Sequence, residues 1–344
     1  MMPMEQIAIL TGGGDCPGLN PVIRAAVKRS LLENWQALGF RNGWKGLIDD
    51  EFMILDDRSV SGILPKGGTI LGTSRTNPYK KPGDVEKCKS NFSKHNLKAL
   101  IAVGGEDTLG VAHRLFQEGL PIVGIPKTID NDLSATDYTF GFDTAVNIAM
   151  ECIDRLHTTA ESHNRVIVVE IMGRHAGWIA LEAGLAGGAD VILIPEVPVS
   201  IDEVCQTIKH RHERGKTFSI VAVAEGAKLS GGHEVAEQKL DEFGHVRLGG
   251  IGQLLAELIE KKTGYETRVT VLGHIQRGGS PTAFDRVLGT RFGVHAVELV
   301  TQKKFGRMVS LQGRRIVDVP ISDAVKELKL VDRELYELAK IFFG

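Results

Sequence analysis

The sequence predicts an α/β protein of the doubly wound type, with parallel sheets covered by helices. Three observations predict it. Short β-branched apolar runs alternate with longer helical patterns along the chain. Several of those runs are apolar without alternation, as strands covered on both faces are. And the 40 glycines among 344 residues, against a usual share of about 7%, gather at the ends of apolar runs, where turns belong.

The elements follow in order. "QIAILTGGGD" reads as a strand and a Gly turn, and "NPVIRAAVKRSLLEN" as the helix after it. The run "LKALIAVGGED" is a strand that ends in a turn carrying two acids, followed by the helical "TLGVAHRLFQEG". A further strand and a polar loop make up "PIVGIPKTIDND". Next comes a long helix, "FDTAVNIAMECIDRLHTTAES", before the strand "RVIVVEIMG". "GGADVILIPE" and "FSIVAVAEG" are strands buried on both faces. "GIGQLLAELIEKKTG" is a helix, and "ETRVTVLGHIQRGG" is a strand and loop. The polar stretch 227–247 reads as an insertion or a cover.

Bulk numbers exclude several classes. Apolar residues make up 42%, charged residues 24%, and the formal charge is −2, so nothing points to nucleic acid or a membrane surface. The cysteines Cys16, Cys88, Cys152 and Cys205 form no CxxC, so neither a zinc site nor a redox pair is indicated. A reduced, cytoplasmic setting fits them. The N-terminus reads as a first strand and not a signal peptide, and no window is long enough to span a bilayer.

In an open α/β sheet, ligands bind beyond the carboxyl ends of strands, so the loops there are the functional inventory. "TGGGDCPGLN" brings Gly13 and Gly14, whose backbone N–H groups can approach an anion; a plain structural turn remains open. Gly104 and Gly105 are followed by Glu106, Asp107 and Thr108, and "PIVGIP" by Lys127, Thr128, Asp130, Asn131 and Asp132. Carboxylates beside a phosphate make sense if one holds Mg²⁺ and another takes a proton from an attacking hydroxyl. Asp130 and Asp132, two apart, would point the same way in an extended loop; an Asx-rich turn is the alternative. Arg75, Arg165, Arg174, Arg268, His274 and Arg277 mostly sit at strand ends or beside glycine, and arginine matches phosphate with a planar fork of donors. A lone Arg is usually a solvated charge; several at strand ends suggest a substrate with its own phosphate. Glu225 suits sugar hydroxyls, or an Arg partner. The sum is two phosphate-bearing ligands, an acidic metal-and-base centre and a polyhydroxy acceptor, which describes phosphoryl transfer to a sugar phosphate.

"GGGDCPGLN", "GGEDT", "PKTIDND", "VVEIMGRHAGW", "AEG" and "TVLGHIQRGGSP" closely resemble the 6-phosphofructokinase family, in family order across positions 10–290. The resemblance implies two α/β domains with the active site between them. It gives residues 1–141 plus 276–326 to the phosphoryl donor and metal, and 142–275 plus 327–344 to fructose 6-phosphate. It makes Asp130 the base for the sugar 1-hydroxyl, with Thr128 and Asp132 supporting the phosphoryl group and metal. Gly13, Gly14, Arg75 and Thr108 hold the donor, and Glu106, often Asp in relatives, offers oxygen to Mg²⁺. Met172, Gly173, Arg174, Glu225, His274 and Arg277 match the fructose 6-phosphate pocket. Arg165 and Arg268 match residues that come from a neighbouring subunit, which implies a homo-oligomer, dimer or tetramer.

ATP-using members have Gly where this chain has Asp107, and those of the common bacterial type also have Gly at Lys127. Asp107 would repel the inner phosphates of a nucleotide and Lys127 would meet phosphoryl oxygens, so the pair looks like the pyrophosphate-dependent branch. An ATP-dependent enzyme is the alternative; a non-catalytic sugar-phosphate-binding subunit has no need of Asp130. The effector pocket of allosteric members is only partly matched by Arg24, Lys28, Asp190 and Lys216, with His157 in place of an Arg, which implies weak nucleotide regulation or none.

Overall fold

Of the two runs read as buried on both faces, "FSIVAVAEG" became an inner strand, whereas "GGADVILIPE" lies at the edge of its sheet. The computed structural model describes residues 4–230 and 249–344. Its strands are β1 (Gln6–Thr11), β2 (Gln36–Phe40), β3 (Phe52–Leu55), β4 (Leu97–Gly104), β5 (Ile122–Pro126), β6 (Val166–Ile171), β7 (Val191–Leu193), β8 (Ser219–Ala224), β9 (Thr267–Val271), β10 (Arg307–Gln312) and β11 (Arg315–Pro320). The chain divides into two units. Unit one is Met1–Ile129, Leu133–Thr144 and Arg277–Leu328; unit two is Asp130–Asp132, Ala145–Gln276 and Lys329–Gly344.

In unit one the strand order is β11-β10-β5-β4-β1-β2-β3. The five inner strands pair in parallel, while β3 and β11 are antiparallel edges. The all-parallel expectation therefore fails at both rims. The β10–β11 pair is a hairpin, turned at Gly313 with φ 59°, and a two-residue turn can join only antiparallel strands. The order reverses between β1 and β4, the topological switch point, and ligands of open sheets bind beyond the strand ends there.

The helix Glu106–Gln117 packs Val111, Ala112 and Leu115 against Leu100, Ala102 and Ile122. Burying each of the Val, Leu and Ile side chains here contributes about 1.5–3 kcal/mol. The helices Leu19–Leu32 and Ala283–Thr301 approach closely because of two glycines. A Cβ on Gly293 would lie 2.5 Å from Val22 O, and one on Gly289 3.0 Å from Gly18 O.

Unit two holds a four-stranded sheet of order β7-β8-β6-β9, parallel throughout. Val166, Val168, Val221 and Val223 on one face meet Ile208, Leu255 and Ile259 of the helices Ile201–Glu213 and Ile251–Thr263. β9 is an edge strand and only partly covered. Most of the stretch 227–247 lies outside the described residues. Among the described residues, no helix is long and apolar enough to cross a membrane.

Candidate active site

Unit one builds its loops from strand ends at the switch point. β1 ends at Gly12–Gly14, where Gly13 has φ 78°, a left-handed conformation that glycine adopts without steric cost. Gly12 N donates to Val103 O at 2.9 Å, which ties this turn to the end of β4. Thr108 is buried between the two strand ends: a Cβ on Gly12 would lie 2.6 Å from its Oγ1, and one on Gly104 2.3 Å from its Cβ. These glycines are what let the threonine in.

Lys127 follows β5 and is only 3% exposed. Its N–H donates to Gly104 O at 3.0 Å, and its Nζ donates to Gly14 O. A Cβ on Gly13 would stand 3.4 Å from that Nζ, so a buried ammonium lies along the glycine turn. Arg277 approaches the same turn. Its Nη1 donates to Asp15 O at 3.3 Å and would lie 2.6 Å from a Cβ on Gly14. Gly13, Gly14, Thr108, Lys127 and Arg277 are therefore brought together.

Arg75 is exposed, on a segment fastened to the turn by Gly13 N donating to Ser74 O at 3.2 Å. Asn20 fixes the approach to that segment. Its Nδ2 donates to Lys66 O and Gly67 O at 3.1 and 3.2 Å, and its Oδ1 accepts from Ile70 N at 2.9 Å. Asn20 was missed as a candidate, although it closes the motif "GGGDCPGLN".

The two acids of "GGEDT" are not in the turn. Gly105 is the N-cap, and Glu106 and Asp107 form the first turn of the helix Glu106–Gln117. Helix N-termini carry partial positive charge from unpaired N–H groups, so acids are favourable there. Glu106 is exposed, Asp107 half-buried and Thr108 buried. Among the described residues, no group of three or more His, Cys, Asp or Glu forms a closed metal site. Mg²⁺ commonly takes one or two carboxylates, with waters and substrate phosphates completing its shell, and the acids of this helix turn fit that donor set.

The loop after β5 is not extended. Asn131 has φ 52°, which Asn tolerates better than most residues, so the backbone turns between Asp130 and Asp132. Asp130 is 5% exposed and Asp132 half-buried. Thr128 O accepts from Thr139 Oγ1 at 2.8 Å. Cys16, just past the glycine turn, is fully buried, and burial pushes its thiol up to about 12, so thiolate chemistry is absent from the turn at neutral pH.

Unit two builds a second cluster at the end of β6. Met172, Gly173 and Arg174 form a tight turn, with φ 150° at Gly173 and 52° at Arg174. Glu225, at the end of β8, holds it: its Oε1 accepts from Gly173 N at 3.3 Å and Arg174 N at 3.0 Å. Gln276, fully buried, adds its Oε1 as acceptor for Met172 N at 2.9 Å. Its Nε2 has no hydrogen-bond partner among the described residues, a donor left open beside the turn. Neither Gln276 nor Glu196, which accepts from Gly177 N at 3.0 Å, was identified from sequence. The first lay unused inside "GHIQRGG"; the second carried no local signal.

Arg165 and Arg268 flank this sheet at the paired starts of β6 and β9 and share one carboxylate. Arg165 Nη2 lies 2.8 Å from Glu266 Oε1, and Arg268 Nη2 contacts the same atom. The Arg165 guanidinium holds the Glu266 carboxyl below its ordinary range. Arg268 and His274 are exposed. Of the suggested effector residues, Lys28 pairs with Asp57 and Asp190 with Arg211 at 2.9 Å, while His157 Nε2 lies 2.7 Å from Gly187 O.

This construction has known counterparts. A pyrophosphate–fructose 6-phosphate 1-phosphotransferase of Streptomyces coelicolor is 58% identical over 98% of this chain and all of its own length. An ATP-dependent 6-phosphofructokinase of Mycobacterium leprae is 52% identical, again over 98% of this chain and all of its own. Among solved structures, the phosphofructokinase of Pichia pastoris in its T-state superposes with a TM-score of 0.85 at 32% identity. That match covers 99% of this chain but 39% of the Pichia chain. The phosphofructokinase family pattern itself spans residues 6–300, and with these whole-length relatives it establishes that the chain belongs to the phosphofructokinase family.

Proposed function

We propose that this enzyme transfers a phosphoryl group reversibly from pyrophosphate to the 1-hydroxyl of fructose 6-phosphate, giving fructose 1,6-bisphosphate and phosphate. The observation that carries the reading is the buried Lys127 ammonium along the Gly13–Gly14 turn, with Asp107 in the adjoining helix turn. The relatives at 57–58% identity, named for the pyrophosphate reaction, support it.

In unit one, the Gly13–Gly14 turn with its Gly14 N–H group, Arg75, Thr108 and Lys127 bind the donor and spread its charge. Glu106 is the carboxylate that would hold Mg²⁺, which when bound neutralises phosphate charge. Asp107 places a negative charge where the inner phosphates of a nucleotide would pass, and Lys127 offsets that charge for pyrophosphate.

In unit two, Asp130 takes the proton of the 1-hydroxyl as its oxygen bonds to phosphorus. The P–O bond to the departing phosphate breaks, and the electron pair leaves with that phosphate. Thr128 and Asp132 support the transferring group. Met172, Gly173, Arg174, Glu225 and His274 hold the acceptor, while Arg277, which belongs to unit one, adds charge for a phosphate beside the Gly13–Gly14 turn. Arg165 and Arg268 reach the site of a neighbouring chain in a dimer or tetramer.

The test is a donor comparison. Purified enzyme with Mg²⁺ turns over with pyrophosphate and barely with ATP; robust ATP turnover with none from pyrophosphate overturns the reading. Asp107→Gly lowers pyrophosphate activity on the order of tenfold or more and raises ATP activity, as expected when one charged group is removed from a donor site.

A further inference from the structure

Lys329 belongs to no motif, yet it touches the loop that carries the proposed base. Its Nζ donates to Asn131 Oδ1 at 2.9 Å, and its backbone N donates to Asp132 O at 2.8 Å. Its carbonyl accepts from Trp178 Nε1 at 2.9 Å, and its ammonium stands 5.5 Å from the centre of the Trp178 ring, within cation–π range. Two residues on, Val331 N donates at 3.0 Å to Glu196, which also receives Gly177 N. Trp178 begins the helix that follows the Met172–Gly173–Arg174 turn.

Asn131 needs such a hold. It is 2% exposed and sits at φ 52°, a left-handed conformation that Asn adopts more readily than most side chains but still less favourably than the right-handed one. The torsion at Asn131 sets the directions in which Asp130 and Asp132 leave the loop. A side-chain bond to Asn131 and a main-chain bond to Asp132, both from Lys329, select one of the loop's conformers. The carbonyl bond then fixes Lys329 to the start of the helix behind the acceptor turn.

We infer that Lys329 is a positioning residue for phosphoryl transfer: it holds the Asp130–Asn131–Asp132 loop in register with the turn Met172–Gly173–Arg174. This rests on the reading of Asp130 as the base. A positioned base loses rate when misplaced by about an ångström, on the order of 100-fold, while substrates still bind.

The test is steady-state kinetics with pyrophosphate, fructose 6-phosphate and Mg²⁺ on Lys329→Met, Lys329→Arg, Trp178→Phe, Asn131→Gly and Asp130→Asn. Lys329→Met is expected to lower kcat roughly 10- to 100-fold with both KM values within about twofold, and Lys329→Arg to recover part of the loss. Lys329→Met combined with Asn131→Gly is expected to be no worse than the poorer single variant, since both cut one connection. If Lys329→Met does not fold, Lys329→Arg and Trp178→Phe carry the test, each with lowered kcat at unchanged KM.

An unchanged kcat in the folded Lys329 and Trp178 variants overturns the inference, as does a loss confined to KM. Asp130→Asn separates the two readings. Its expected loss is on the order of 10²–10⁴. If it stays active, the base assignment fails; if it is inactive while Lys329→Met is not, only the positioning role fails.

Discussion

Asp285 is fully buried at the start of the helix Ala283–Thr301, and its carboxylate accepts from Gly141 N at 2.8 Å, Thr144 N at 2.9 Å and Thr144 Oγ1 at 2.5 Å. It so closes the start of the helix that leads out of unit one. Burial pushes its carboxyl from its ordinary 3.8 up to about 6, despite the donors that favour the charged form. The sign follows from proton counting. Between these values the folded chain keeps a proton that the unfolded chain has released. The contribution is fully present below 3.8 and is lost as pH rises to about 6, a change of about 3 kcal/mol at 1.36 kcal/mol per unit. Asp285→Asn keeps an acceptor oxygen and does not titrate. Calorimetric Tm values should therefore show the variant gaining on the parent between pH 4 and 6 and a constant difference from pH 6.5 to 8. A difference that is flat across both ranges contradicts the burial argument.

At the scale of elements, a strand caps a helix. The helix Ile251–Thr263 has Gly250 as N-cap, with φ 87° and no side-chain cap of its own. Glu170 of β6, 4% exposed, supplies it: Gly250 N donates to both its oxygens at 3.1 Å and Gly252 N to Oε2 at 2.8 Å. Glu170→Ala leaves two helix N–H groups without an acceptor and should cost about 2–4 kcal/mol in urea unfolding. Glu170→Gln, with one acceptor left, should cost less. Equal midpoints for parent and Ala variant would refute the cap. The same residue marks what the sequence concealed. "VIVVEI" is legible as a strand because five of its six residues are apolar, but the acceptor role of the sixth depends on glycines 80 residues away. β1, β4, β5, β6 and β8 were legible for the same reason, being buried on both faces. β2, β3, β10 and β11 were not read: they are short or lie at the rims, with weaker apolar runs. The site divides likewise. Residues at strand ends beside glycine are candidates by local pattern, whereas Asn20, Gln276, Glu196 and Lys329 act through bonds to distant segments and have no local pattern.

At the scale of the whole molecule, the proposed homo-oligomer has a consequence that no single chain can show. Glu266, just before the outer strand β9, pairs with Arg165 and with Arg268 of that strand, and nearby in sequence Val271 and Ile275 are 57% and 64% exposed. Charged donors beside uncovered aliphatic side chains suit a surface that meets a second copy and lends it cations. If Arg268 serves the neighbour's substrate, each site takes its base from one chain and that arginine from another. Asp130→Asn and Arg268→Ala chains should then complement. In a refolded 1:1 mixture, half the sites carry a native base, and half of those face a neighbour with a native arginine. Activity should therefore return to about one quarter of the parent value, well above that of either variant alone. Self-contained sites would leave the mixture at the mean of the two variants. Measuring turnover across mixing ratios makes the distinction sharp, since shared sites follow the product of the two chain fractions and peak at equal amounts, whereas self-contained sites give a straight line.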